Sequence, residues 1–152
     1  MKVFLDTNIL MEYFANRTKA ADVKVILQAA YQGQIKACMS VGCLYTLIYL
    51  LGIYLKNQGI HEPNKTLRIK ESLSSIMEYV HIVNLSENYI DHAISATDFK
   101  DLEDSCQYQC AAENKCDILI TINIKHFNKI DDPKCEVIEP HQFVQKYIGC
   151  KE

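Results

Sequence analysis

The sequence predicts an α/β fold in which a parallel sheet is covered by helices on both faces. Short apolar runs typical of strands alternate with helical patterns along the whole chain of 152 residues, which is the order of elements in βαβ units. The apolar runs are continuous, as in strands that are buried on both faces. The length fits a single domain spanning residues 1–152, and a hydrophobic content of 49% is enough for a sizeable core.

The expected elements follow one another closely. A strand covers residues 2–5, and a helix starts directly after it because Ile9, Leu10 and Tyr13 recur at helical spacing. Ser40 is a candidate N-cap for the stretch 41–56, which is so apolar that we expect a buried helix there. The other expected elements are strands at 35–39, 80–83, 117–121 and 137–138, and helices at about 18–32, 63–77, 87–94, 101–111 and from Pro140 onward. In the helix at 63–77, the residues expected to face the core are Leu67, Leu73, Ile76 and Met77.

Composition excludes several classes of protein. A net charge of −3 argues against a strongly basic nucleic-acid coat protein, and there is no run of about twenty apolar residues to span a membrane. The seven cysteines form no Cys-x-x-Cys pair, and no secretory signal precedes them. We therefore expect free thiols and a cytoplasmic location.

Polar side chains stand where three of the expected elements begin or end. These are Asp6, Thr7 and Asn8 after the first strand, Asp101 and Asp104 on one face of a helix start, and Thr121 and Asn123 after the fourth strand. Each group also has a simple local explanation, namely helix capping, a favourable interaction with the helix dipole, and a turn. If the strands are parallel neighbours, their carboxyl ends share one edge of the sheet, where ligands bind in open α/β folds.

Carboxylates gathered at one edge repel each other unless a cation lies between them. Mg²⁺ suits such a place, because it typically takes one or two protein carboxylates and keeps several waters. An ion of this kind can make hydroxide available near neutral pH and stabilise charge on a phosphate. The pattern therefore predicts metal-dependent hydrolysis of phosphodiester bonds.

Four stretches of the sequence resemble the motifs of the PIN-domain nuclease family. Residues 3–10 (VFLDTNIL) resemble its first motif, and 101–108 (DLEDSCQY) its acidic helix start. Residues 117–127 resemble its Thr-x-Asp/Asn strand end, and 137–143 its last strand and Pro-x-x-Phe helix. The order and spacing match over essentially the full chain. The resemblance implies a three-layer α/β/α sandwich with a five-stranded parallel sheet. It also implies a Mg²⁺- or Mn²⁺-dependent ribonuclease, often the toxin of a toxin–antitoxin pair, with RNA, an antitoxin and a second copy of the chain as partners.

Carried over residue by residue, the resemblance assigns roles in a metal site. Asp6 would be the first metal ligand and Asp104 the main later one, with Asp101 assisting. Thr121 and Asn123 would shape the metal and water positions. Supporting residues next to Asp6 would be Thr7 and Asn8, of which Asn8 would help to hold that carboxylate.

The sequence departs from the family pattern at two positions. The family usually has an acid, commonly Glu, on the helix after the second strand, and Thr46 falls at that place. No acid lies anywhere from Met39 to Leu55, and His126 stands where the family frequently has Asp. The site therefore carries fewer negative charges than is usual in the family.

Two other readings remain open beside the ribonuclease. The first is a PIN-fold module with weakened catalysis that binds RNA or a protein partner, which Thr46 favours. The second is a receiver-type domain, which also gathers acids around Mg²⁺ but needs a Lys at a late strand end. Lys125 lies too far beyond Thr121 to fit that role well.

Overall fold

Five parallel strands form the centre of the protein. The computed structural model describes residues 1–127, 130 and 133–149. The strands are β1 (Lys2–Leu5), β2 (Lys36–Ser40), β3 (Val80–Val83), β4 (Ile118–Ile120) and β5 (Glu136–Ile138), in the order β3-β2-β1-β4-β5. The apolar residues of β1 are fully buried, as expected for a strand with neighbours on both sides and helices on both faces. The predicted five-stranded parallel sheet is confirmed.

In the part of the chain that the structure describes, seven helices cover the two faces of this sheet. They are α1 (Thr7–Phe14), α2 (Ala20–Tyr31), α3 (Val41–Asn57), α4 (Asn64–Met77), α5 (Glu87–Ser95), α6 (Leu102–Glu113) and α7 (Pro140–Phe143). A 3₁₀ turn covers Ile124–His126, and α7 runs on into a π-helical turn, Val144–Ile148. Among the described residues, no helix is both long and apolar enough to cross a lipid bilayer.

The strand order determines which helices share a face. The chain moves from β1 to β3 towards one edge and then returns to β4 on the other side of β1. Because crossovers between parallel strands are right-handed, this reversal places α1 to α4 on one face and α5 and α6 on the other. The packing agrees, since α1 contacts α2 and α3, α2 contacts α7, and α5 contacts α6. The predicted three-layer α/β/α arrangement is confirmed.

Local sequence explains how several of these helices begin and end. The Ser40 hydroxyl accepts a hydrogen bond of 3.0 Å from the Cys43 amide at the start of α3, which confirms the predicted cap. Asp101 caps α6 by accepting from the Asp104 amide at 3.1 Å. Gly33 follows α2 with a φ of +72°, a conformation that glycine adopts without strain and other residues rarely adopt.

The prediction that α3 is a buried helix is wrong for one of its faces. Only a stripe formed by Cys43, Leu47, Leu51 and Leu55 is buried. Tyr45 and Tyr49 lie on the opposite side and are 70% and 68% exposed. In α4, Ile76 is buried and Leu73 packs against the core as expected, whereas Leu67 and Met77 are exposed. Apolar composition alone does not tell which face of a helix meets the sheet, because that depends on how the helix is placed.

The strand register brings the predicted polar residues to one edge of the sheet. Leu5 pairs with Ile120 across β1 and β4, so both strands end at the same level. The Asp6 amide donates to the Ile120 carbonyl at 3.1 Å, immediately after the two strands end. The strand order reverses between β1 and β4, and ligands bind at such switch points in open α/β sheets.

Candidate active site

Asp6 lies at the centre of the acidic edge, between the end of β1 and the start of α1. Its carboxylate is 2% exposed, and the Thr121 hydroxyl donates to its Oδ2 at 2.7 Å. Asp6 occupies the N-cap position of α1, yet its side chain makes no capping hydrogen bond of regular geometry. The backbone N–H of Asn8 is close enough to lower the pKa of Asp6 slightly. The carboxylate is therefore directed mainly towards the end of β4, and capping does not account for it.

The surroundings of Asp6 make its charged form unfavourable. Burial removes water from the carboxylate and raises its pKa to about 6, and the negative charge of Asp104 raises the pKa as well. Hydrogen bonds from Thr121 and Gln107 lower the pKa and offset part of this effect. A buried acid that is held between a hydrogen-bond donor and a second acid is the environment that a bound cation would stabilise.

Asp104 faces the same place from the first turn of α6. It is 6% exposed, and its Oδ2 lies 2.5 Å from Nδ1 of His126, in the 3₁₀ turn after β4. Burial raises the pKa of Asp104, the His126 hydrogen bond lowers it, and the charge of Asp101 raises it again. His126 stands where the family frequently has Asp, and it supplies a hydrogen-bonding partner to Asp104 where an acid would have added repulsion.

Asp101 and Asn123 have local roles that the structure makes visible. Asp101 is exposed and caps α6, so its carboxylate holds the Asp104 amide and lies outside the buried pair. The backbone N–H of Asn123 donates to the Thr121 hydroxyl at 3.0 Å. That hydroxyl donates in turn to Asp6, so the backbone at position 123 helps to orient the Thr121 side chain.

Gln107 is a site residue that the sequence analysis did not single out. It lies one turn after Asp104 on α6 and is 4% exposed. Its side-chain nitrogen donates to Oε1 of Glu103 at 3.4 Å, and the side chain is close enough to Asp6 to lower the pKa of that acid. The sequence carried a signal for it, because residues three apart share a helix face. A polar residue one turn after a predicted metal ligand is a candidate for the same site.

Thr7 and Thr46 occupy the side of the site that faces α3. The Thr7 hydroxyl is buried beside the Cys43 thiol and has no nitrogen or oxygen partner within hydrogen-bond distance among the described residues. Thr46 is half-buried in α3 and lines a cavity together with Gln107. Thr46 therefore lies on a side of α3 that shares this cavity with Gln107, a neighbour of Asp6.

The donor atoms at this edge fit a hard divalent cation. Asp6 and Asp104 present carboxylate oxygens, the ligands that Mg²⁺ and Mn²⁺ accept. In residues 1–127, 130 and 133–149, no three His, Cys, Asp or Glu side chains are arranged to enclose an ion. Two carboxylates are enough in number for an ion that keeps most of its waters, as Mg²⁺ commonly does.

Comparison with solved structures supports the fold. The crystal structure of VapBC2 from Rickettsia felis, bound to a DNA fragment from their promoter, contains a chain that matches with a TM-score of 0.66 at 16% identity. The match covers 91% of this chain and 98% of that chain. At this level of identity the similarity concerns the fold alone. No curated protein sequence matches this chain.

Comparison with family models gives a direct assignment. The model of the PIN domain matches residues 2–125, which include β1 to β4 and every acid discussed above. PIN domains are generally nucleases that use divalent metal ions. Because that match covers most of the sequence, the chain belongs to the PIN domain family.

Proposed function

We propose that this protein is a metal-dependent endoribonuclease, and that residues 1–152 act as one PIN-like domain. The observation that carries the proposal is the pair of buried acids, Asp6 and Asp104, at the switch point of the sheet. Each of them is held by neutral or basic partners, and no buried Lys or Arg neutralises them among the described residues. A fold has little reason to bury two mutually repelling acids unless a cation binds there.

Asp6 and Asp104 would hold Mg²⁺ or Mn²⁺ in this proposal. The ion, when bound, supplies a hydroxide near neutral pH and offsets negative charge on the phosphate. Thr121 orients Asp6 through its 2.7 Å hydrogen bond. The backbone N–H of Asn123 in turn orients the Thr121 hydroxyl. Asp101 assists by fixing the first turn of α6, from which Asp104 projects.

A second candidate function is a PIN-fold module that binds RNA or a protein without efficient cleavage. The observation that favours it is Thr46, because the side of the site formed by α3 brings no carboxylate to the ion. Fewer charges mean weaker metal binding at a given ion concentration. Both candidates predict metal binding at Asp6 and Asp104, and they differ in the rate of RNA cleavage.

Cleavage of a mixed single-stranded RNA substrate separates the two candidates. The wild type is compared in Mn²⁺, in Mg²⁺ and in chelator, beside Asp6→Asn and Asp104→Asn, with Asp98→Asn as a control acid on the surface. We expect cleavage in either metal, none in chelator, and a loss of at least 100-fold for the two site variants because each removes a ligand. Equal rates with and without metal would overturn the ribonuclease proposal. Metal binding without cleavage would favour the binding module.

An antitoxin partner and a cytoplasmic location follow from the same proposal. Toxin-type PIN ribonucleases pair with an antitoxin, and a small open reading frame immediately upstream of the gene would support such a partner. All six cysteines in the described part of the chain are free thiols, which suits a reducing compartment.

We also propose that two copies associate through the exposed face of α3. Tyr45 and Tyr49 form an apolar stripe there, and no charged residue occurs between Val41 and Leu55 to make two copies repel each other. Light scattering on Tyr45→Glu and Tyr49→Glu, with the equally exposed Tyr31→Glu as the control, tests this. A wild type that is monomeric at 100 µM would overturn it.

A further inference from the structure

A cavity of about 430 Å³ opens beside the acidic edge, between α3, α5 and α6. We call it the side cavity. Its apolar lining comes from Val41 in the first turn of α3, Leu85 after β3, and Ile90 in α5, whereas Asn84, Glu103 and Gln107 contribute polar groups. The volume is within the range of about 300–1,000 Å³ that small-molecule sites occupy.

Two residues that line the side cavity also lie next to Asp6. Gln107 lines the cavity and is also close enough to Asp6 to lower the pKa of that acid. Cys43 lines it as well, and Asp6 is close enough to raise the pKa of the Cys43 thiol. Glu103 and Asp104 are consecutive in α6, so the cavity and the acid pair lie on adjoining faces of one helix turn. An RNA nucleotide bound at the acids would therefore lie beside this cavity.

The lining of the side cavity specifies the chemistry of its occupant. Glu103 is the one charged residue among the described residues that line it, and a carboxylate accepts hydrogen bonds without donating any. Its Oε1 accepts a long hydrogen bond of 3.4 Å from the Gln107 side-chain nitrogen, and the carboxylate has further lone pairs for a ligand. Gln107 adds a buried Oε1 that has no hydrogen-bond partner in the described part of the chain. A phosphate would be repelled here. A flat, mostly apolar group with N–H donors along one edge would satisfy both the apolar walls and the acceptors.

We propose that the side cavity receives a nucleobase of the RNA substrate, next to the cleaved bond, and that Glu103 selects bases with amino donors, guanine above all. This proposal rests on the ribonuclease function proposed above. Guanine offers two adjacent N–H donors, which match the two oxygens of a carboxylate. Cytosine and adenine each offer one amino group, and the single N–H of uracil lies between two carbonyl oxygens that the carboxylate would repel.

Base preference at the cleavage site tests the proposal. Short single-stranded RNAs carry each of the four bases on either side of the cleaved bond, and kcat/KM is measured in Mn²⁺. We expect guanine to exceed uracil by about tenfold on one side, which is within the range for a good bidentate contact with a base. Glu103→Gln is expected to lose most of the guanine preference, measured as the ratio of kcat/KM for the guanine substrate to kcat/KM for the uracil substrate.

Filling the side cavity provides a second variant with a matched control. Ile90→Trp places a large ring into the cavity from a residue that is 40% exposed, whereas Ile94→Trp adds the same ring on the same helix at a site that is 63% exposed. We expect Ile90→Trp to lower kcat/KM at least tenfold and to leave Mn²⁺ affinity unchanged, while Ile94→Trp behaves as wild type. The inference is overturned if kcat/KM is the same for substrates with all four bases and neither Glu103→Gln nor Ile90→Trp changes it. The cavity would then bind another ligand, such as a basic side chain of a protein partner.

A binding measurement separates failure of this inference from failure of the ribonuclease proposal. The Ile90 methyl signal of the wild type is followed by NMR during titration with guanosine or uridine monophosphate. We expect it to shift at lower concentrations of the guanine nucleotide, and this difference to vanish in Glu103→Gln. If no RNA is cleaved in any metal, the ribonuclease proposal fails and this titration alone decides the inference. A methyl signal that responds to neither nucleotide overturns it.

Discussion

Replacing Asp6 by Asn is expected to stabilise the protein in the absence of metal. Burial and the neighbouring Asp104 raise the pKa of Asp6 from 3.8 to about 6. A group whose pKa is raised on folding opposes folding at any pH where it is charged, because the folded state binds the proton more tightly than the unfolded state. This loss of unfolding free energy is absent below about pH 4, grows between about pH 4 and pH 6, and reaches its full size above about pH 6.

The size of this cost follows from the shift in pKa. A shift of about two units corresponds to about 3 kcal/mol of unfolding free energy at neutral pH. The Asn side chain avoids this charge and can still accept the Thr121 hydrogen bond through its carbonyl oxygen. Its buried amide hydrogens lack a clear acceptor, which costs part of the gain. We therefore expect a net stabilisation of about 0.5–2 kcal/mol at pH 7.

Denaturant unfolding of both proteins from pH 4 to pH 8 measures the effect. In chelator, the wild type should lose stability relative to Asp6→Asn as pH rises through the window from 4 to 6. Millimolar Mg²⁺ should narrow or reverse the difference in unfolding free energy between the two proteins above pH 6, because an ion stabilises only the form that binds it. Asp98→Asn controls for a change of net charge on the surface. Parallel stability curves for wild type and Asp6→Asn, in chelator and in Mg²⁺, would refute the reasoning and make Asp6 an ordinary N-cap residue, since Asn caps as well as Asp.

Three further variants test other parts of the site and fold. Thr46→Glu should increase Mn²⁺ affinity in calorimetric titrations because it adds a hard oxygen ligand beside Gln107, whereas a lower Tm with unchanged affinity would contradict the placement of Thr46. Thr121→Val removes the hydroxyl that donates to Asp6, so it should lower the unfolding free energy by about 1–3 kcal/mol at pH 7. The loss should be smaller at pH 4, where Asp6 is protonated. An equal loss at both pH values would contradict a role of Thr121 in holding the charged form of Asp6. Ser40→Ala should cost about 1 kcal/mol through loss of the α3 cap, measured by the same unfolding assay, and no loss would show that the cap is dispensable.

The sheet and the acids could be predicted because their signals are local. The run Val3-Phe4-Leu5 is apolar without alternation, so it specifies a strand with both faces covered, and the residue after it must lie at a strand end. The same holds for the run before Thr121. Ser40 could be predicted as a cap because its role depends on the amide three residues later. In these places the residues that determine the local structure lie within a few positions of it in the sequence.

The remaining features depend on contacts between distant parts of the chain. Thr121 and Asp6 are 115 residues apart and meet only because β1 and β4 are neighbours in register. Gln107 is 101 residues from Asp6 in the sequence and comes near it only because α6 packs on β4, the neighbour of β1.

By itself, the sequence determined the α/β class, the elements and the set of acids, since these follow from short-range patterns of polarity and from the family motifs. Only the tertiary structure decided which face of α3 is exposed, which partners hold Asp6 and Asp104, and that a cavity adjoins them. The physical reason is that burial, pKa and cavity shape arise where separate elements pack together, and the pattern within one element carries little information about its neighbours.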